Sequence, residues 1–141
     1  MEEFVKISSD KERAKSLLDM VAMRMDTIKL LYKTNPEKFT SKIIEEYYES
    51  ILELITAIMS IDGFKIRADV IGSHMSTIDY LHKNYREVEE HEIRFIDDLR
   101  KKRIGIKYYG RRVKIDYVKD NQIRIKNIIK KLRSIINKKI L

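Results

Sequence analysis

Only five of the 141 residues in this chain, four Gly and one Pro, are strong breakers of regular structure. So little turn chemistry confines the chain to long uninterrupted elements, and Lys, Glu, Leu, Met and Ile, all compatible with helix, fill the stretches between the breakers. The fold class this predicts is all-α. With 43% of residues hydrophobic, a chain of this length can bury one core, so residues 1–141 are expected to form a single domain.

The spacing of apolar residues divides the chain into helices. Ser9-x-x-Glu12 has the form of a capping box, and the stripe Ala14, Leu17, Leu18, Val21, Met25, Ile28 and Leu31 runs from it to about Lys33, where Thr34-Asn35-Pro36 ends the helix. Thr40 or Ser41 is expected to cap a second helix, striped by Ile44, Tyr47, Tyr48, Ile51, Ile55, Ile58 and Met59 and stopped at Asp62-Gly63. A third helix lies within residues 64–84, with Val70, Ile71, Met75, Ile78 and Leu81 at helical spacing and Gly72-Ser73 blurring its start. Glu87, Glu89 and Glu90 place acids in the first turn of a fourth helix, where the helix dipole favours them; it carries Ile93, Ile96, Leu99 and Ile106 and ends at Gly110. A last helix over residues 116–139 is striped by Val118, Ile125, Ile128, Ile129, Leu132 and Ile136. The expected architecture is an up-and-down bundle of four to five helices with no strand.

Charge is segregated along the chain. Residues 100–141 hold 16 Lys/Arg against two acids, a net +14, while residues 1–99 hold 14 Lys/Arg against 20 acids. A basic end beside an acidic body points to a polyanionic partner, although a solvated lysine face would account for the charge alone. No Cys is present, which excludes thiolate zinc sites and Cys nucleophiles. Glu45, Glu46, Glu49 and Glu53 lack the His that a di-iron bundle needs, and His91 among acids reads as solvated, so no metal and no cofactor is expected. Phosphate-binding glycine loops and hydrolase nucleophile turns are missing too. His74 reads as a helix-end histidine making one hydrogen bond. No apolar run reaches a membrane-spanning length, and the acidic start is unlike a signal peptide, so a soluble, cytoplasmic protein without a membrane role is expected. Ile enrichment, a single glutamine and 37% charged residues fit a thermophilic source.

The most informative segment is residues 99–112, Leu-Arg-Lys-Lys-Arg-Ile-Gly-Ile-Lys-Tyr-Tyr-Gly-Arg-Arg. Lys101, Lys102, Lys107, Arg111 and Arg112 supply cations for a phosphate backbone, and Tyr108 and Tyr109 supply faces on which unstacked bases can rest, the combination that single-stranded RNA recognition uses. Arg103 is different: seven after Ile96 and four after Leu99, it falls on the buried stripe, where a guanidinium needs a partner or a cleft.

Leu99-Arg100-x-x-Arg103-x-x-Ile106-Lys107-Tyr108-Tyr109-Gly110 resembles the late-helix motif of prokaryotic HEPN domains. Ile61-Asp62-Gly63-Phe64-Lys65, Ser73-His74 and Ile78-Asp79-Tyr80-Leu81 upstream are similar to archaeal members over about residues 40–136. The resemblance implies a helical bundle that forms a homodimer, with two copies of the motif meeting in a cleft. It also implies either a metal-independent ribonuclease, often a toxin paired with a small nucleotidyltransferase antitoxin, or a non-catalytic module that binds RNA or a nucleotide and pairs with such a partner. Arg103 matches the motif arginine, while Tyr108 stands where the family has His, Ile104 replaces its usual polar neighbour, and Gly110 stands where the antitoxin-paired subgroup has Tyr. Arg103 and Tyr108 are therefore the expected catalytic residues. A tyrosine near pKa 10 can donate a proton at neutral pH but hardly accept one. A purely structural helical protein is the third expectation.

Overall fold

The computed structural model describes residues 4–67 and 72–140. Five helices, α1 (Lys11–Thr34), α2 (Thr40–Asp62), α3 (Ser73–Asn84), α4 (Glu90–Tyr109) and α5 (Ile115–Ile140), join a two-stranded ribbon of β1 (Phe4–Lys6) and β2 (Phe64–Ile66). Val70 and Ile71 of the expected third stripe lie outside the described residues.

The centre of the bundle is α2. Sixteen of its 23 residues are buried, far more than one stripe, because α1 packs on one side of it and α4 and α5 on others. The direction of each helix follows from its cross-bonds. Asp10 N–H donates to Ser60 O and Arg24 to Glu46, so α1 and α2 are antiparallel. Tyr47 meets Gln122 and Asp62 meets Lys139, so α2 and α5 run together. Phe95 lies under Arg124 and Glu92 bonds Lys131, while Lys102 lies over Tyr117, so α4 runs against α5. The four long helices thus alternate in direction along the chain, as an up-and-down bundle requires.

Three expectations about element ends are corrected. Asp10, not Ser9, caps α1, its side chain accepting from Arg13 N–H; the Ser9 hydroxyl instead donates to Ile61 O at 2.7 Å and ties the N-terminal segment to the end of α2. Neither Thr40 nor Ser41 caps α2, because the chain is already turning at residues 36–39 and the Thr40 hydroxyl donates back to Pro36 O. Of the acids expected in the first turn of α4, only Glu90 stands there: Glu87 precedes the helix and Glu89 is its N-cap, forming a capping box with Glu92. The absence of strands is also overturned: Phe4, Val5 and Lys6 pair antiparallel with Ile66, Lys65 and Phe64. Three-residue strands carry too little alternation to show in sequence. Gly63 makes this corner possible. It ends α2 at φ 84, and a Cβ there would stand 2.8 Å from Ile7 O, so only glycine allows the strand to cross so closely.

Ion pairs seal the seams. Arg24 of α1 reaches both Glu53 (2.7 Å) and Glu46 (3.1 Å) of α2. Lys131 of α5 donates to Glu92 Oε1 (2.6 Å) and Glu87 O (2.9 Å) at the start of α4. No described helix is long and apolar enough to cross a membrane.

Candidate nucleic-acid interface

Between α4 and the first half of α5 lies an open cleft of about 540 Å³. Its α4 wall is Phe95, Asp98, Lys101, Lys102 and Gly105, residues three and four apart on one helix face. Its α5 wall is Tyr117, Asn121 and Arg124, and the connection between the helices closes one end with Arg111, Arg112 and Val113. Five cations therefore line it against one carboxylate, Asp98. Two of the walls are braced: Arg124 stacks 4.4 Å from the Phe95 ring centroid, and Lys102 Nζ sits 5.4 Å from that of Tyr117. The Tyr117 hydroxyl is buried and has no hydrogen-bond partner among the described residues. Burial, then the Asp98 carboxylate, pushes it above the ordinary tyrosine value, so it is a proton donor at neutral pH.

Four of the expected backbone-binding residues, Lys101, Lys102, Arg111 and Arg112, come together here. Lys107 does not line the cleft; it lies over the Tyr108 ring at 5.5 Å. Tyr108 and Tyr109 are 64% and 69% exposed, with the Arg111 guanidinium 5.2 Å from the Tyr109 ring. Arg111, which lines the cleft, thus carries the exposed Tyr109 ring beside it. Arg124, Tyr117 and Asn121 were not legible as site residues, since only the antiparallel return of α5 brings them to α4.

Arg103 faces the other way. Its side chain, 13% exposed, pairs with Glu49 of α2 at 3.2 Å and lies 5.9 Å from the Tyr48 ring, while its Nε is buried without a partner among the described residues. The charge that the sequence left unmet, and that a second protomer was expected to relieve, is met inside the chain. Beside it, His74 Nδ1 is 3.1 Å from the fully buried Tyr48 hydroxyl. Burial, then Arg103, holds the His74 imidazole below the ordinary histidine value. Five positions on a helix separate side chains by about 140°, so within one chain Tyr108 projects from a different side of α4 than Arg103.

These groups set a pH dependence. His74 is depressed below 6.5 in the fold, so the unfolded chain binds its proton first and stability falls as pH drops below that value. Glu92, which burial would push up, is held lower still by Lys131 and the Glu89 amide, below 4.5; its contribution is present above that value and is lost as pH falls through it. Thermal melts should therefore fall monotonically from pH 7 to pH 4, with His74→Asn removing the drop that begins near 6.5. A flat profile would contradict both assignments.

Glu89, His91 and Glu92 group three metal-type ligands, but their atoms serve the α4 capping box and Lys131. A second basic groove, about 720 Å³ between α1 and α5, is lined by Met25, Lys29, Lys126, Ile129, Lys130 and Arg133 among others. It has no aromatic residue along it. Compared with known proteins, the chain matches no family model, no curated protein and no solved structure.

Proposed function

We propose that this protein is an RNA-binding module of HEPN-like type that holds single-stranded RNA in the α4/α5 cleft. The observation that carries the reading is the convergence of Lys101, Lys102, Arg111, Arg112 and Arg124 on one concave surface, with the exposed Tyr109 ring beside Arg111 and the exposed Tyr108 next to it in the chain. Phosphates take the cations and unstacked bases take the tyrosines. The up-and-down course of the long helices and the ordered motifs of residues 40–136 support the HEPN-like part. Binding without cleavage is favoured over the ribonuclease reading by one feature: Arg103 is engaged by Glu49 on a side of α4 that Tyr108 does not share.

The test is binding to a labelled single-stranded RNA across a salt series, with the RNA recovered afterwards. About five phosphate contacts give log affinity a slope against log salt of about −3 to −4, and the RNA comes back intact from wild type and Arg103→Ala alike. Binding that is absent or insensitive to salt removes the RNA reading. Cleavage by wild type but not by Arg103→Ala replaces it with the nuclease.

A further inference from the structure

We propose that the α4/α5 cleft receives the terminal phosphate of a nucleotide chain, so that the protein grips RNA by a phosphorylated end. This rests on the RNA-binding reading and narrows it to one chemical group.

Charge density is the first argument. A strand bound along its length meets cations spread at the spacing of its phosphates, each bringing one negative charge. Here Lys102, Arg111, Arg112 and Arg124, with Lys101 at the edge, converge on a single space of small-ligand size. Asp98 is the one carboxylate lining it, and among the described residues Lys102, Arg111 and Arg112 form no ion pair. A terminal phosphate carries nearly two charges at neutral pH and a triphosphate more, so an end matches this convergence where an internal diester does not.

The Tyr117 hydroxyl is the second. A buried O–H without an acceptor is costly, and this one, unpartnered among the described residues, belongs to the cleft-wall ring over which the Lys102 ammonium sits, 5.4 Å from the ring centroid. A phosphate oxygen would accept from the hydroxyl and neutralise the ammonium together. Arg124, held on Phe95, needs no reordering to take part. Asp98 opposes a phosphate placed against it, so it suits a sugar hydroxyl of the terminal nucleotide instead.

The experiment compares RNAs of one sequence ending in a 5′-hydroxyl, a 5′-monophosphate or a 3′-phosphate, with free nucleoside mono- and triphosphates as competitors. A phosphorylated end is expected to bind at least tenfold tighter than the hydroxyl form. Tyr117→Phe, which keeps the ring and its packing, is expected to shrink that advantage severalfold and Arg112→Gln to abolish it. The readout is the ratio of phosphorylated to hydroxyl RNA within each variant, because Arg112→Gln also removes a backbone contact and weakens the hydroxyl RNA severalfold. A free triphosphate that competes as well as the phosphorylated RNA supports the same phosphate chemistry and makes the free nucleotide its source. Equal affinity for all three RNAs overturns the proposal and leaves the RNA-binding reading standing. No binding by any RNA removes both.

Discussion

Changing Lys102, Arg111 and Arg112 together to glutamate is expected to lower RNA affinity on the order of 100-fold at moderate salt and to flatten the salt slope by about two. The three side chains line the cleft and have no carboxylate partner among the described residues, so their replacement removes phosphate contacts without breaking an ion pair of the fold. Arg112 and Arg111 lie in the connection after Gly110 and Lys102 on the solvent side of α4, and helicity by circular dichroism should stay as in wild type. The comparison that gives the result meaning is Lys126, Lys130 and Arg133 changed to glutamate in the α1/α5 groove. That variant has the same net charge. If RNA binding followed net charge alone, both variants would lose equally; if the cleft is the site, the second should lose less than tenfold. Equal loss would mean that net charge, and not the cleft, governs RNA binding.

The largest stability effect is expected at Asp62, the last residue of α2. Its Oδ2 accepts from the hydroxyls of Tyr80 in α3 (2.7 Å) and Tyr85 in the turn before α4 (2.5 Å), and Oδ1 pairs with Lys139 near the end of α5 at 3.1 Å. One carboxylate therefore joins the ends of four segments. Tyr80 and Tyr85 are 4% and 8% exposed, so water cannot replace the acceptor that Asp62→Ala removes. Two stranded buried hydroxyls at about 1–3 kcal/mol each put the loss near 3 kcal/mol, a fall of about 10 °C in melting temperature for a domain of this size. In a Tyr80→Phe, Tyr85→Phe background the same Asp62→Ala change should cost less than about 1 kcal/mol, because the donors it would strand are gone. A full-sized loss in that background would assign the effect to the end of α2 alone.

The difference between what was readable beforehand and what was not follows from the range of the interactions concerned. Helices, their alternation and their approximate ends are local: Val118, Ile125 and Leu132 recur at a spacing that only a helix puts on one side, and Gly63 and Gly110 stop helices by a property of their own backbones. The basic character of residues 99–112 and the inward position of Arg103 follow from composition and from a 100° step per residue, and both stand in the structure. Competition between nearby groups blurred the ends. Asp10 lies one residue from Ser9 and took the cap, because the Ser9 hydroxyl found Ile61 O fifty-two residues away.

Partners across the bundle were beyond sequence. Helix spacing says which residues share a face and not which face meets which neighbour, since any apolar stripe can be buried against any other. Only the antiparallel return of α5 puts Tyr117 and Arg124 opposite Lys102 and Asp98, making a cleft from residues that are separate in the chain. Only the packing of α2 against α4 supplies Glu49 to Arg103, and only that of α3 against α2 sets His74 beside Tyr48. Lys101, Lys102 and Arg103 are consecutive and look like one basic cluster, yet they divide between two sides of α4 because the burial of Ile96 and Leu99 fixes the rotation of that helix. Which segments are helical and where positive charge gathers follow from local spacing and composition; which of those charges face the α4/α5 cleft and which face a carboxylate follows from the mutual rotation of the helices, whose contacts are set by the core.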